Sequence, residues 1–104
     1  MRGEASVNTR VELVPEILED LDRVFDHWAA YDALLAPVRV QALLDGLKVL
    51  RHSPEIGRPL PGGQRELVIG RGAQGYVARY RYLAEVDVAV VLAIRSQREL
   101  GYRR

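Results

Sequence analysis

The sequence predicts an α+β fold, with a leading strand, a helical hairpin and then a three-stranded antiparallel sheet, the helices packed on one sheet face. Two observations carry this. Between Pro15 and Arg51 apolar residues recur every three or four positions, the spacing of helices with one buried face. From Arg65 onward the period changes to two, the spacing of strands.

Taken in order, Val7 to Val14 (VNTRVELV) partly alternates, with Val7, Val11 and Leu13 opposite Arg10 and Glu12, and reads as a half-buried strand. Pro15 can open a helix because its missing N–H costs nothing in a first turn, and Glu16, Glu19 and Asp20 complement the helix dipole. That helix is expected over Pro15 to Tyr31. Its stripe is Ile17, Leu18, Leu21, Val24, Phe25 and Trp28, and Glu19, Asp20, Asp22, Arg23 and Asp26 are expected to face solvent. A second helix is predicted over Leu35 to Arg51, with Val38, Ala42, Leu43, Leu47 and Leu50 as its stripe and Gly46 as a weak point. Two helices joined by so short a break lack a complete core, so the rest of the chain must cover them.

Residues 52–64 hold three prolines and three glycines and read as a loop. Arg65 to Arg71 is a short strand, and RGAQG turns the chain into the next one, Gly75 to Leu83. There Arg79 and Arg81 share one face, and Tyr76, Tyr80 and Tyr82 share the other. After a tight turn near Ala84 and Glu85, Val86 to Ile94 is apolar on both sides except at Asp87, as in a central strand. The sheet is expected to be antiparallel.

At 104 residues, 48% hydrophobic and 28% charged, the chain has the length and composition of one soluble globular domain, residues 1–104. No apolar run approaches the roughly 18 residues of a membrane span. MRGEASVNTR has no apolar stretch behind its charges, so a secretory signal is not expected and a cytoplasmic location is. The absence of cysteine excludes disulfides, thiolate metal sites and a cysteine nucleophile. His27 and His52 lack metal-ligand spacing, so neither a metal nor a cofactor is expected. The net charge of +1 hides an asymmetry: residues 1–34 sum to −5 and residues 35–104 to +6. All but one of the fifteen basic residues are arginine, the side chain suited to bidentate phosphate contacts, although arginine on a solvated surface explains the composition equally well.

The residues left over by the core pattern are Arg65, Arg79, Arg81, Arg95, Gln97, Arg98 and Tyr102. In a small antiparallel sheet they can converge on the face that helices leave open, giving an arginine-rich surface with a tyrosine at its rim, fit for a target protein or for nucleic acid. On spacing alone, Arg79 and Arg81 read first as ordinary exposed strand residues and Tyr102 as a packing aromatic.

The element order, together with Arg65-Glu66-Leu67, Gly75-Tyr76, Tyr80-Arg81 and the ending Ala93-Ile94-Arg95-Ser96-Gln97-Arg98-Glu99-Leu100-Gly101-Tyr102, resembles the RelE/ParE superfamily of toxins from bacterial type II toxin–antitoxin modules. The resemblance spans residues 7 to 102. It implies a cytoplasmic toxin in a hetero-oligomer with a cognate antitoxin, a small DNA-binding protein whose C-terminal segment wraps the toxin. It also implies one of two targets. ParE-like members poison DNA gyrase, whereas RelE-like members cleave mRNA on the ribosome with arginine, lysine and a C-terminal aromatic or histidine. Arg65, Arg98 and Tyr102 match the ribonucleolytic pattern, and with Arg79 they form the catalytic set it would imply. Val77 stands where an arginine often follows the Gly-Tyr pair, and Ser96 where histidine or arginine often precedes Gln-Arg. The resemblance therefore points to the ParE-like branch, with the ribonuclease, or a non-toxic antitoxin-binding module, as alternatives.

Overall fold

The computed structural model describes residues 8–99, 101 and 102. Its elements are β1 (Arg10–Leu13), α1 (Ile17–Ala29), α2 (Leu35–Leu47) continued by a 3-10 turn (Lys48–Arg51), β2 (Arg58–Leu60), β3 (Gln64–Ile69), β4 (Tyr76–Leu83) and β5 (Val88–Ser96). One five-stranded sheet runs in the order β1-β5-β4-β3-β2. The fold class is α+β as the periodicities predict, with four strands after the helices where three were expected, and β1 as the fifth strand of the sheet.

Two of the strand expectations change. β1 pairs with β5 in parallel, while β2 to β5 are antiparallel throughout. Hairpin turns link only the last four strands. The two helices return the chain to its own starting end, where the Thr9 N–H donates to the Arg51 carbonyl (2.8 Å), so β1 meets the sheet without a hairpin and its direction is free to match that of β5. The Pro/Gly-rich loop holds the short strand β2, with Arg58 opposite Glu66. Pro59 has no N–H for a ladder, a lack that an edge strand tolerates. Of the expected first strand, Val7 lies outside the described residues.

The core lies between the hairpin and one face of the sheet, formed by Ile17, Val24 and Trp28 of α1, Leu43 and Leu47 of α2, Leu50 after it, and Tyr76, Ala78, Tyr80, Ala89, Val91 and Ile94 of the sheet. Several expected stripe residues are outside it: Leu18, Phe25 and Val38 are exposed. Gly46 has a packing role, since a Cβ there would lie 2.5 Å from Ile69 Cγ2 of β3.

Each β4 tyrosine on the helix side finishes in a hydrogen bond, as a half-apolar side chain must when it is buried. The Tyr76 hydroxyl accepts from Trp28 Nε1 (2.7 Å), Tyr80 donates to the Pro54 carbonyl (2.7 Å) and accepts from the Gly57 N–H (2.9 Å), and Tyr82 donates to Asp87 (2.8 Å).

Asp20, expected in solvent, is 1% exposed. Arg79 pairs with Ala93 and Tyr80 with Val91, so Leu92 is the extra residue of a β-bulge in β5. Beside that bulge the Asp20 carboxylate accepts the Ile94 N–H (2.9 Å) and an Arg23 N–H (2.9 Å), and Arg23 also donates to the Ile94 carbonyl (3.2 Å). Spacing contained the signal, because position 20 falls between Ile17 and Val24 on the buried stripe. The acidic residue type argued the other way.

Candidate functional site

The face of the sheet without helices is built by register. Glu66 of β3 lies opposite Arg58 of β2 and Arg79 of β4, and Arg95 of β5 lies opposite Val77. Past β5 the chain turns sharply. The Ser96 N–H donates to the Glu99 carboxylate (2.7 Å), and the Arg95 guanidinium donates to the Ser96 and Glu99 carbonyls (3.1 and 3.0 Å). This turn carries Tyr102 back over the open face. Its ring sits between two guanidinium groups, 5.0 Å from Arg79 and 5.1 Å from Arg95, in cation–π contact with both.

At the centre of this cluster is Glu66, 8% exposed. Its carboxylate accepts from the Tyr102 hydroxyl (2.7 Å) and from Arg58, with Arg95 3.8 Å away. Burial pushes the Glu66 carboxyl up, but the hydrogen bonds from Tyr102 and Arg58 and the fields of Arg58 and Arg95 outweigh it and hold the group below the ordinary glutamate value. Tyr102 moves far the other way: burial, and then the Glu66 carboxylate it bonds, raise its phenol well above the ordinary value. At neutral pH Tyr102 is a protonated donor engaged with the Glu66 carboxylate.

Of the sequence-predicted residues, Arg79, Arg95 and Tyr102 come together here. Arg81 stands further along the same face and donates to the Gly62 carbonyl (2.9 Å). Arg65 is on the opposite face beside Tyr80 and braces the preceding loop through the Glu55 and Gly57 carbonyls (3.0 and 2.9 Å). Gln97 turns toward Gly75, whose carbonyl accepts its N–H (3.0 Å). Arg98 lines a separate cavity of about 400 Å³ on the helix side, with Arg23, His27, Trp28, Tyr76 and Ser96. Arg65, Arg79, Arg98 and Tyr102 are thus distributed over two faces of the sheet.

Sequence reasoning left Arg58 and Glu66 out of this group. Arg58 lay in a segment read as loop. Glu66 alternates with Arg65 like any exposed strand residue, and only the pairing of the strands and the C-terminal turn bring Arg58, Arg95 and Tyr102 to its carboxylate.

Chemically, the face is an arginine-rich surface of Arg58, Arg79, Arg81 and Arg95, with their charge partly balanced by Glu66 and partly covered by Tyr102. Among the described residues, no group of three His, Asp or Glu side chains is placed to hold a metal ion, and no helix is long and apolar enough to cross a membrane.

Comparison with known proteins places this architecture. No curated protein sequence matches the chain. Among solved structures, a chain of the chromosomal ParDE TA system from P. aeruginosa superposes with a TM-score of 0.73 over 88% of this chain and 98% of that one, at 23% identity, which is a likeness of fold. The family model of the ParE toxin of type II toxin–antitoxin systems, parDE, matches residues 11–101. With that match running from β1 through the C-terminal turn, the chain belongs to the ParE toxin family.

Proposed function

We propose that this chain is the toxin of a type II toxin–antitoxin module, arresting growth when free of its antitoxin, and that it acts by binding its target, DNA gyrase, rather than by chemistry of its own. The observation that supports binding over catalysis is the state of Tyr102. Its hydroxyl is committed to Glu66 and its phenol is raised, while Arg65 and Arg98 point into a loop and a helix-side cavity. A phosphate held by Arg79 would therefore find no second arginine of the ribonuclease set and no free base beside it. Val77 and Ser96, at positions where ribonucleolytic relatives carry polar groups, support the same reading.

Membership in a family named for a toxin–antitoxin pair supports the partner. The cognate antitoxin is read as a small DNA-binding protein whose C-terminal segment wraps the toxin. Inducing the chain alone should stop growth, and co-expressing the antitoxin should restore it; unimpaired growth would make the chain a non-toxic antitoxin-binding module. The purified chain should inhibit gyrase supercoiling, and no inhibition at large excess would sink the target assignment. Cleavage of mRNA at codon positions on programmed ribosomes would overturn the mechanism in favour of a ribonuclease.

A further inference from the structure

The helix-side cavity that Arg98 lines lies between α1 and the turn after β5, and at about 400 Å³ it has the size of a small-molecule site. Its wall is aromatic. His27, Trp28 and Tyr31 are in mutual ring contact, with centroids 5.4, 5.5 and 6.0 Å apart. Trp28 is fixed in place, its Nε1 bonded to the Tyr76 hydroxyl and the Arg39 guanidinium 4.4 Å from its ring. Tyr31 is 71% exposed, a rigid ring held at the cavity rim rather than packed in the core.

The polar lining divides into engaged and unengaged groups. Arg23 is held by Asp20 (2.9 Å) and Glu99 (3.5 Å), and Glu99 also accepts the Ser96 N–H. Arg98 has no carboxylate partner among the described residues. Next to it, the Ser96 hydroxyl accepts the Arg98 N–H (3.3 Å) and keeps its own proton to donate. Gln74, at the end of the 3-10 turn before β4, offers a donor and an acceptor on one amide. Exposed rings hold a planar base, a guanidinium beside a hydroxyl holds a phosphate, and an amide reads the edge of the base.

We propose that this cavity binds one nucleotide, with its base against Tyr31 and His27, Gln74 at the base edge, and its phosphate on Arg98 and Ser96. Charge limits the phosphate. With Arg23 balanced by Asp20 and Glu99, one guanidinium remains, which suits a monophosphate, whereas a triphosphate would crowd the Glu99 carboxylate. A partner polypeptide fits less well, because β4 and β5 are interior strands and leave no unpaired ladder beside the cavity. The inference does not rest on the gyrase reading, and it concerns the side of the sheet opposite the Arg79–Tyr102 face.

The test uses the full chain, labelled with nitrogen-15, and AMP. Saturable amide shifts are expected at Tyr31, Gln74 and Arg98, with a dissociation constant of about a millimolar or below. Adenosine, which lacks the phosphate, and ribose phosphate, which lacks the base, should each bind at least about tenfold more weakly. Arg98→Ala and Tyr31→Ala, two exposed changes whose folding is checked by circular dichroism, should each weaken AMP about tenfold. Lys48→Ala, which removes an exposed cation outside the cavity, should leave its affinity within about twofold. Oligodeoxyadenylate identifies the source of the nucleotide. Binding at least about tenfold tighter than AMP at the same amides assigns a nucleotide unstacked from a single strand, and comparable or weaker binding assigns a free one. The proposal would be overturned by any of four results: no saturation at about 10 mM AMP, adenosine or ribose phosphate binding as tightly as AMP, shifts confined to the Arg79–Tyr102 face, or undiminished affinity of the folded Arg98→Ala variant.

Discussion

Because Glu66 is nearly buried between Arg58, Arg95 and the Tyr102 hydroxyl, its charge is coupled to folding. Its carboxyl is held below the ordinary value, so its contribution is complete above the unfolded-state pKa of about 4.3 and is lost as pH falls through the lowered folded value. Glu66→Gln should therefore cost about 1–2 kcal/mol at pH 7 and flatten the fall of Tm below about pH 4.5; parallel Tm profiles for the two proteins would contradict the coupling. Arg65 and Arg81 separate scaffold from surface in the same way. Arg65 holds two loop carbonyls, so Arg65→Ala should lower stability by about 1–2 kcal/mol in urea while leaving target inhibition per folded molecule unchanged. Arg81 makes one exposed bond to Gly62, so Arg81→Ala should shift stability by less than about 0.5 kcal/mol and weaken target inhibition about tenfold. The reverse pattern would move the binding face to the other side of the sheet.

At the scale of elements, what periodicity can encode was legible and what pairing decides was not. Both helices and strands β1, β3, β4 and β5 follow from spacings of 3.6 and 2. β2 escaped because three residues around Pro59 carry no period, and the phase of β5 changes at Leu92, where a bulge lets Val91 and Ile94 both face the helices three positions apart. Asp20 was misplaced for a related reason: residue type outvoted spacing at one stripe position. Its role is to bind α1 to β5 at the irregularity, supplying an acceptor to the Ile94 N–H while Arg23 supplies a donor to the Ile94 carbonyl. Asp20→Asn keeps the shape but loses the charge against Arg23, and Asp20→Ala loses the acceptor as well. The alanine variant should cost about 3 kcal/mol and the asparagine variant clearly less, read from urea midpoints at unchanged m. Equal costs would mean that the charge contributes everything and the hydrogen bond nothing.

Across the whole molecule, the side-chain hydrogen bond of longest range in sequence among the described residues joins the two ends of the fold. Thr9, just before β1, donates its hydroxyl to Asp87 (2.7 Å) across 78 residues, and Tyr82 donates to the same carboxylate oxygen (2.8 Å). Asp87 itself sits at φ 54, a left-handed conformation that an aspartate tolerates better than most residues. The hydrogen bonds from Thr9 and Tyr82 hold its carboxyl below the ordinary value, so the latch is charged at neutral pH. None of this is visible in the sequence, where Asp87 reads as the one polar break in an apolar run. Among the described residues β1 has only β5 beside it, a parallel ladder of four residues, and closing so long a loop is entropically unfavourable, so β1 should be the sheet's first strand to open. Thr9→Val removes the hydroxyl and keeps the volume. It should speed hydrogen exchange of the sheet-facing Glu12 amide about tenfold while leaving the central amides of β4 and β5, which exchange by global unfolding, within about twofold. A uniform acceleration across the sheet would show that β1 does not open separately, and that the latch stabilises the fold as a single unit.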